Sequence, residues 1–385
     1  MKPTVLVPMA GLGSRFVKEG YKVPKQLITV GNKHLIDLSL DCLDYSDCNM
    51  VFIVRDEQVY NHHIYEILVQ KFGSDIKVIV LDHLTDGSVC SCLYAEEYID
   101  NDSPLLIHTL DVEFDPQYKV TDLLNLESDG LILTFKSNSP NYSYVLTDEN
   151  GIAVKTAEKK PISDQACVGV YCYKRGSDFV KYAKDMVARN IRTNNEFYIS
   201  PLYNLFIEAG LQITTLPVEK MHVFGTPDEY NFYKNNVNKE IGDKPIALCS
   251  DHSGYDTKEL FKQVLDLRGI PYIDFGTSVN KDCDYSDFIS QAARAMNENE
   301  CDYAFGFCRS GQGVNMCANK HKGIRSALIY NEYAMEMAIR HNCANFFSIP
   351  AKYADIDQLS RYLKIAMNNS FDGGRHQIRI QNLEK

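Results

Sequence analysis

Two series of short apolar segments, separated by a polar stretch near residue 240, constrain the fold of this chain more than any other feature. In the first series, β-branched runs such as Thr4–Pro8 and Leu105–His108 alternate with polar stretches of helix length. A second series with the same alternation begins at Ile246–Ser250. Because this pattern is typical of sheets covered by helices, the sequence predicts the α/β class.

The polar stretch between the two series predicts the domain boundary. It has the sequence N-N-V-N-K-E-I-G-D-K-P at Asn235–Pro245, and a polar run interrupted by Gly and Pro is typical of a linker. We therefore predict a first domain over residues 1–237, a linker over 238–244 and a second domain over 245–385. A chain of 385 residues can bury two hydrophobic cores, so we expect two doubly wound, Rossmann-like domains.

The same alternation predicts individual elements. The strands predicted for the first domain are Thr4–Pro8, Met50–Val54, Ile76–Leu81, Leu105–His108 and Leu131–Phe135. Those predicted for the second domain are Ile246–Ser250, Pro271–Phe275, Tyr303–Cys308, Arg325–Tyr330 and Asn345–Ile349. The helices predicted between them are Asp256–Arg268, Ser286–Asn297 and Gly313–Asn319.

Composition excludes several classes of partner. The net charge of -11 and the pI near 5.4 disfavour a nucleic-acid surface, which needs clustered Lys and Arg. The twelve cysteines form no C-x-x-C pair, and scattered cysteines favour a reduced, cytoplasmic setting over a disulfide framework. No basic and apolar leader precedes Val5, and no apolar run approaches the roughly 20 residues of a membrane span. We therefore expect a cytoplasmic protein.

A glycine-containing loop at Val7–Phe16, V-P-M-A-G-L-G-S-R-F, lies between the first predicted strand and a helix. Backbone N–H groups in such a loop can bind a phosphate. Arg15 follows the glycines and Lys25 follows a proline, which provides two cations for a triphosphate. G-L-G alone fits equally well a turn that needs glycine for backbone reasons. The two cations therefore carry the phosphate hypothesis.

These residues resemble the G-x-G-[ST]-R and P-K-x-L signature of the sugar-phosphate nucleotidylyltransferases. The resemblance covers roughly the first 235 residues and implies a mixed-sheet domain. It also implies attack by a sugar phosphate on the α-phosphorus of an NTP, with release of pyrophosphate. Further motifs follow in the family's order: T-D-G-S at Thr85–Ser88, Leu110 with Asp111, A-E-K-K at Ala157–Lys160, G-V-Y-C-Y at Gly169–Tyr173 and F-G-T-P-D at Phe224–Asp228.

The resemblance assigns roles to matching positions. Asp111 would hold Mg²⁺, Arg15 and Lys25 would act catalytically on the triphosphate, and Gly87 would lie near the nucleobase. The other positions implied to bind substrate are Gly11, Gly13, Ser14, Glu158, Lys159 and Gly169. Without the motif order, Asp111 fits a strand-end cap, and Glu158 with Lys159 fits a solvated charged pair.

One position departs from the family pattern. Family members commonly carry a second metal-binding aspartate two positions before the Gly-Thr-Pro turn, and here that residue is Val223, which cannot ligate a hard cation. Either Asp111 holds the metal with substrate phosphates and another carboxylate, or nucleotidyl transfer is impaired. Glu113 is a candidate, since it would face the same side as Asp111 on a strand that extends so far.

The G-Y-K-x-P-K variant resembles capsule-associated cytidylyltransferase-like proteins, which favours CTP, with UTP and GTP as alternatives.

In the second domain, Cys308 ends a predicted strand and precedes R-S-G-Q-G and a predicted helix. A helix N-terminus stabilises a thiolate, which suits a base, although a lone cysteine is also a common buried apolar residue. Arg375 and Arg379 would share one face of a helix and could bind one phosphate. Two arginines at that spacing also fit a solvated surface.

This domain resembles ribose-5-phosphate isomerase type B and its hexose-6-phosphate relatives over nearly all of residues 245–385. The resemblance implies a parallel sheet, metal-free aldose–ketose isomerisation, and a site shared between two subunits, hence a homodimer or larger oligomer. The matching segments are S-D-H-S-G-Y, D-F-G-T, D-Y-S-D-F, C-R-S-G-Q-G-V-N, A-N-K, G-I-R-S-A, R-H-N and G-G-R-H-Q-I-R.

Carried over by position, Cys308 would abstract the proton next to the carbonyl and Ser310 would move protons between the two oxygens. Asp251 and His341 would assist ring opening. The positions implied to bind substrate are His252, Tyr285, Gly311, Gly313, Asn315, Asn342, Lys352, Arg375 and Arg379. Arg309 replaces the family's usual glycine, and Lys352 stands where an arginine is frequent. The sequence therefore predicts the type of reaction better than it predicts the substrate.

The sequence thus predicts a bifunctional enzyme whose partners are sugar phosphates and an NTP, with Mg²⁺ for the first half and no cofactor for the second. It would supply a nucleotide-activated sugar for surface polysaccharide. The alternative is that one half only senses a ligand, for which Val223 and Arg309 are the reasons. A dinucleotide oxidoreductase is disfavoured because G-L-G-S-R-F lacks the third glycine of G-x-G-x-x-G.

Overall fold

A computed structural model of the protein describes residues 2–31, 33–115, 117–237, 239 and 243–383. The chain divides into two compact units between Asn231 and Phe232. Residues 232–237, which the sequence pattern assigned to the first domain, group with the second unit. Of the predicted linker, Lys239, Asp243 and Lys244 are described, and the rest lies outside the described residues.

The first unit is an α/β unit. In chain order, its strands are β1 Thr4–Pro8, β2 Thr29–Val30, β3 Lys33–His34, β4 Leu43–Asp44, β5 Asn49–Arg55, β6 Lys77–Leu81, β7 Leu105–His108, β8 Val112–Asp115, β9 Tyr118–Lys119, β10 Gly130–Lys136, β11 Ser143–Thr147, β12 Ala153–Glu158, β13 Gln165–Tyr173, β14 Ile213–Pro217 and β15 Lys220–Val223. Its helices are α1 Ser14–Lys18, α2 Leu35–Leu40, α3 Asp56–Tyr60, α4 Ile64–Phe72, α5 Ser88–Leu93, α6 Glu96–Ile99, α7 Val120–Leu123, α8 Gly176–Ala188, α9 Ile199–Glu208 and α10 Pro227–Phe232.

The main sheet of this unit is mixed, as predicted. Within the described residues it has nine strands in the order β12-β11-β13-β7-β1-β5-β6, with β10 pairing to β13 and β14. The strands β7, β1, β5 and β6 are parallel, whereas β13 is antiparallel to β7 and to β10. Two-stranded pairs, β8 with β15 among them, lie outside this sheet.

The cores lie on both faces of the sheet. Along β1, Val5 and Val7 belong to one buried cluster and Leu6 to the other. Because side chains alternate along a strand, a central strand that is covered on both faces is apolar throughout. This is why T-V-L-V-P was recognisable as a strand in the sequence.

The second unit is an α/β unit with a parallel sheet, also as predicted. It opens with a π-helical turn at Tyr233–Val237. Its strands are β16 Ile246–Ser250, β17 Tyr272–Asp274, β18 Ala304–Cys308, β19 Ser326–Leu328 and β20 Phe346–Pro350. Its helices are α11 Tyr255–Asp266, α12 Tyr285–Asn297, α13 Gln312–Ala318, α14 Glu332–Arg340, α15 Ile356–Asn368 and α16 Arg375–Leu383.

In the described part of this unit the sheet has five strands in the order β17-β16-β18-β20-β19, and neighbouring strands pair in parallel. Its two faces are again covered by separate apolar clusters, with Leu248 in one and Cys249 in the other. No helix in the described parts of the chain is long and apolar enough to span a bilayer.

Candidate active sites

The loop after β1 packs against the segment that carries Lys25. Gly13 precedes α1 with a φ of 58°, in the left-handed region that glycine adopts readily. A Cβ atom at Gly13 would lie 3.3 Å from the Cβ of Lys25, so the glycine loop and the P-K-Q-L segment are in close contact. Arg15 follows in the first turn of α1.

Lys25 and Asp111 form an ion pair between Nζ and Oδ1. The Lys25 side chain is 10% exposed, whereas that of Asp111 is 58% exposed. The residue predicted to act on the triphosphate is therefore fixed against the residue predicted to hold the metal. The Oδ2 atom of Asp111 faces Gly225.

A cavity of about 290 Å³ is lined by four of the ten residues predicted for the site of the first unit. Arg15, Asp111, Glu158 and Gly169 line it, together with Val223. The other lining residues are Ser88, Thr109, Val112, Asn141, Tyr142, Ser143, Cys167, Val168, Tyr171, Tyr198, Ile199, Met221, Gly225, Thr226 and Glu229. The remaining predicted positions adjoin lining residues: Gly87 precedes Ser88, Lys159 bonds Tyr198, Lys25 pairs with Asp111, and Gly11, Gly13 and Ser14 lead to Arg15.

Two of the predicted glycines have a steric reason in the fold itself. Gly87 has a φ of 116°, and a Cβ there would lie 2.6 Å from the backbone N and O of Phe197. Gly169 has a φ of 96°, and a Cβ there would lie 2.1 Å from Oγ1 of Thr109. Both positions exclude a side chain whether or not a ligand is bound.

Glu158 and Lys159 occupy different surroundings, although they are adjacent. Ser143 donates its Oγ–H to Oε2 of Glu158 across the β11–β12 pair. Burial raises the pKa of Glu158, and the contacts with Ser143 and Lys159 oppose that shift. Lys159 donates to the hydroxyl of Tyr198 at 3.0 Å and lies 4.8 Å from the centre of its ring. Glu158 thus faces the cavity, while Lys159 supports one of its walls.

A second carboxylate of the cavity, Glu229, was not singled out in the sequence. It lies in α10 just after the Gly-Thr-Pro turn, and it is 8% exposed. The hydroxyl of Tyr142 donates to its Oε1 at 3.3 Å. Burial raises its pKa, and the neighbouring carboxylate of Asp111 adds to the rise. The available signal was its position directly after a recognised motif.

Glu113, the substitute ligand suggested by the sequence, is not among the described residues that line the cavity. Strand β8 begins at Val112, so the strand alternation that would put Glu113 on the side of Asp111 does not reach Asp111. Val112 lines the cavity and Glu113 is the next residue along the strand. The suggestion of Glu113 depended on a strand that reaches Asp111, and that condition is not met.

The carboxylates of Asp111 and Glu229 flank Gly225. A Cβ on Gly225 would lie 3.3 Å from Oδ2 of Asp111 and 3.4 Å from Oε2 of Glu229. Carboxylate oxygens are the ligands that Mg²⁺ prefers, so this pair fits the metal that the sequence predicted. Within the described residues there is no group of three or more His, Cys, Asp and Glu residues that could hold a metal, so water or substrate phosphates would have to complete the coordination.

In the second unit, three of the four predicted catalytic residues, Asp251, Cys308 and Ser310, lie at or just after the ends of two neighbouring strands. In the order β17-β16-β18-β20-β19, β16 and β18 lie side by side, although the chain passes through β17 between them. Ligands of doubly wound folds bind in the crevice at the carboxyl ends of such strands. Asp251 and His252 follow β16, and Cys308 ends β18.

Cys308 is held rigidly in place. It is 6% exposed, and its carbonyl oxygen accepts hydrogen bonds from the amides of Gly311 at 3.3 Å and Ala351 at 2.9 Å. Gly311 has a φ of 72°, and a Cβ there would lie 2.5 Å from Cδ1 of Leu328. The loop therefore needs glycine for its shape, and α13 begins at Gln312, four residues after Cys308.

The loop after β16 is tied to the loop after β18. The Oδ1 atom of Asp251 accepts hydrogen bonds from Ser253 Oγ at 2.7 Å and from the amide of Gly254 at 2.9 Å. The amide of Arg309 donates to Ser253 Oγ at 3.0 Å. His252 accepts a hydrogen bond at Nδ1 from the amide of Cys283 at 3.3 Å. Asp251 thus fixes the turn that carries His252 beside the loop of Cys308.

Other predicted residues surround the same two loops. The ring of Tyr285 covers Gly313, where a Cβ would lie 3.0 Å from its Cζ atom. Ser310 accepts a hydrogen bond from the amide of Gln312 at 3.3 Å, and Lys352 donates its amide to the carbonyl of Arg309 at 3.2 Å. Asn315 lies in α13.

A second group forms around Asp372. His341 stacks on His376 with the ring centres 4.2 Å apart, and its Nε2 lies 3.7 Å from Oδ2 of Asp372. Burial lowers the pKa of His376 to about 4, and the neighbouring His341, Arg375 and Arg379 add to the shift. Arg375 and Arg379 occupy α16 one turn apart, as predicted.

Asn342 directly follows His341 in the chain. It lines a cavity of about 640 Å³ whose described lining does not include His341. Basic residues are prominent in its wall, which includes Lys320, Lys322 and Arg325. The predicted residues of the second unit thus form a Cys308 group, a His341 group and the separately placed Asn342.

Comparison with known proteins identifies the second unit. The ribose/galactose isomerase family model matches residues 246–383. Ribose-5-phosphate isomerase B of Escherichia coli (strain K12) is 30% identical over 138 residues, which are 36% of this chain and 93% of that protein. The chain belongs to the ribose/galactose isomerase family. Galactose-6-phosphate isomerase subunit LacA of Clostridium acetobutylicum is 33% identical over 140 residues, 36% of this chain and 97% of that protein.

The part of the chain before this isomerase domain has a different relative. The crystal structure of the nucleoside-diphosphate-sugar pyrophosphorylase from Vibrio cholerae RC9 covers 60% of this chain and 99% of its own, with 26% identity and a TM-score of 0.54. The protein is therefore a sugar-phosphate isomerase domain fused to a nucleotidylyltransferase-type domain, as the sequence predicted.

Proposed function

We propose that the protein is a bifunctional enzyme. Its isomerase unit would interconvert ribose 5-phosphate and ribulose 5-phosphate, and its first unit would transfer a nucleotidyl group from an NTP, with CTP favoured, to a sugar phosphate. The product would be a nucleotide-activated sugar for surface polysaccharide. Both halves of this proposal depend on the sites described above.

The position of Cys308 carries the isomerase half. The thiol lies where β18 ends, next to the glycine loop and near the turn of Asp251 and His252. In the proposed reaction its thiolate removes the proton from C2 of the aldose, and the resulting thiol returns a proton to C1. Amides of Gly311–Gly313 would stabilise the enediolate, while Ser310 carries a proton from O2 to O1.

The His341 group supports the proposal of a homodimer. His341, Arg375 and Arg379 lie around His376, whereas Cys308 and His252 lie at the ends of β18 and β16. In a symmetric pair of chains, one copy can supply the base and the other the phosphate-binding arginines. His252 would contact the phosphate from the side of the base.

The cavity of the first unit carries the nucleotidyl-transfer half. Arg15 and the ion pair of Lys25 with Asp111 provide fixed charges at one wall, and Glu158 provides an acceptor for sugar hydroxyls. Such a reaction needs positioning and charge neutralisation rather than a protein nucleophile. Mg²⁺ held by Asp111 and substrate phosphates would neutralise charge on the triphosphate.

The setting we propose is the cytoplasm. All twelve cysteines lie in the described residues and are free thiols, which agrees with a reducing compartment. Sugar phosphates and an NTP are the proposed small-molecule partners, and neither a nucleic acid nor a membrane is part of the proposal.

Phosphorus NMR tests both halves in one sample. Wild-type protein is mixed with ribose 5-phosphate, Mg²⁺ and CTP, UTP or GTP in turn, and ketose phosphate and pyrophosphate are followed. We expect Cys308→Ala to lower the isomerisation rate by about 100- to 10,000-fold and to leave pyrophosphate release unchanged. Cys317→Ala, a thiol on α13, is the matched control and should isomerise normally.

The alternative is that the first unit binds its ligands without turnover, and Val223 is the observation that favours it. In that case a panel of pentose and hexose phosphates would release no pyrophosphate with any NTP, although a nucleotide still binds. Pyrophosphate release with one NTP would exclude this alternative.

A further inference from the structure

Glu229 is a buried acid whose Oε2 atom faces the cavity of the first unit. The residue lies one position after Asp228, which is exposed, whereas Glu229 is 8% exposed. Its Oε1 accepts the hydroxyl of Tyr142 at 3.3 Å, and its Oε2 faces Gly225. Burial of a carboxylate away from water costs free energy unless the group accepts hydrogen bonds or lies next to an opposite charge. Tyr142 meets that need at Oε1, and Oε2 is the oxygen that faces Gly225.

Asp111 presents its carboxylate to the same space in a similar manner. Its Oδ1 is paired with Lys25, and its Oδ2 also faces Gly225. The Cβ position of Gly225 lies 3.3 Å from Oδ2 and 3.4 Å from Oε2 of Glu229. Each carboxylate therefore has one oxygen atom close to the space that a Cβ atom at position 225 would occupy. Because residue 225 is glycine, this space is open.

Val223 contributes no ligand to this point. It pairs with Val112 in the β8–β15 ladder, is 6% exposed and belongs to the apolar cluster on one face of the sheet. A carboxylate at position 223 would come from β15, whereas Glu229 comes from α10 on the far side of the turn. The same cavity can thus receive an acid from a different element.

We propose that Glu229 supplies the second carboxylate of a divalent-cation site with Asp111 and so replaces the aspartate that is absent at Val223. The inference rests on the proposed nucleotidyl transfer and deepens it. Hard cations such as Mg²⁺ and Mn²⁺ are bound by carboxylate oxygens together with water or phosphate. Lys25 keeps its ion pair through Oδ1 while Oδ2 takes part in the site.

Mn²⁺ binding to the full chain, measured by the EPR signal of free Mn²⁺ without any NTP or sugar phosphate, tests this assignment directly. We expect one site per chain that Asp111→Asn or Glu229→Gln weakens by about 10-fold or more. Asp228→Asn is the matched control, because that carboxylate is exposed in the same helical turn, and it should bind like wild type.

Two further variants distinguish ligation from a folding defect. Gly225→Ala keeps both carboxylates and adds one methyl group at the point between them, so it should weaken Mn²⁺ binding without altering thermal unfolding by more than a few degrees. Val223→Asp should restore binding to Glu229→Gln, since it returns a carboxylate to the cavity wall. Unchanged affinity in Glu229→Gln, or equal loss in Asp228→Asn, would overturn the proposal.

Mn²⁺ binding and pyrophosphate release, measured separately, distinguish a failure of this inference from a failure of the proposed reaction. If pyrophosphate is released but Mn²⁺ affinity does not depend on Glu229, the inference fails and the function stands. If Mn²⁺ binds through Asp111 and Glu229 but no NTP is consumed, the cation site stands and nucleotidyl transfer fails.

Discussion

At the scale of single residues, a buried histidine makes the first unit sensitive to pH. His108 ends β7 and is fully buried, with Nδ1 bonded to the hydroxyl of Tyr45 at 2.9 Å. Its Nε2 has no hydrogen-bond partner among the described residues. Burial lowers the pKa of His108 to about 4 from 6.5. The ring is therefore neutral in the folded protein at neutral pH.

This shift predicts the direction of a stability change. Between pH 6.5 and pH 4 the unfolded chain binds a proton at His108 that the folded chain does not, so the free energy of unfolding decreases as the pH falls. The full loss is about 3 kcal/mol. Urea unfolding of the first unit at pH 7.5 and pH 5 should show the decrease in wild type and a smaller one in His108→Asn. His63→Asn, at an exposed histidine in the left-handed region, is the control and should behave like wild type.

Individual site residues were predictable where a motif fixed them and not otherwise. Cys308 and Asp111 were singled out because their motifs place them at or just after the end of a strand, and Arg15 because its motif places it at the start of the helix after the glycine loop. Glu229 was missed because an acid at the start of a helix is also favoured by the helix dipole, and only the fold shows that its side chain points inward.

At the scale of elements, the fit of α12 on α13 depends on the absence of a side chain at Gly313. Tyr285, the first residue of α12, covers Gly313 with ring atoms 3.0 to 3.3 Å from the position of a Cβ. Alanine is intrinsically better than glycine in a helix by about 1 kcal/mol. We expect Gly313→Ala nevertheless to destabilise the isomerase unit by displacing this ring.

A double-mutant cycle isolates that contact. In a Tyr285→Ala background the added methyl group meets no ring, so Gly313→Ala should be neutral or stabilising there. Thermal unfolding of the four chains measures the coupling, and identical effects of Gly313→Ala in both backgrounds would contradict the contact.

The turn at Tyr233–Val237 predicts where the isomerase unit begins. Phe232 lies 6.0 Å from Phe371 between ring centres, and Asn236 accepts a hydrogen bond from Arg325 Nη2 at 2.7 Å. These residues precede the family match at 246 but bury apolar surface against its core. A fragment that starts at 232 should therefore melt at a higher temperature than one that starts at 245. Equal melting temperatures would restore the boundary that the sequence predicted.

A strand was predictable from the sequence where both of its faces are buried, because its residues are then apolar throughout. The predicted bounds of β1 and β16 agree with the structure because T-V-L-V-P and I-A-L-C-S are apolar runs between polar residues. In contrast, only two of the six residues of β12 are buried, and its sequence A-V-K-T-A-E has too little apolar character to indicate a strand. It is recognisable only once β11 pairs with it.

At the scale of the whole molecule, each unit repeats one principle, in which neighbouring parallel strands bring loops with glycines and charged residues to one edge of a sheet. The pairing of β16 with β18 and of β1 with β7 follows from chain topology, which no local pattern specifies. The family resemblances supplied that information before the structure did. They also supplied the expectation that the isomerase site needs a second copy of the chain.

Subunit complementation tests that expectation. If Cys308 of one copy works with Arg379 of its partner, chains carrying Cys308→Ala and chains carrying Arg379→Ala are each inactive as isomerases. Coexpressed in equal amounts, they form mixed dimers in which one site has both defects and the other has neither. About half of the dimers are mixed, so about a quarter of the wild-type isomerase activity should return. A site built within a single copy would show no recovery, because every site would then keep one of the two defects.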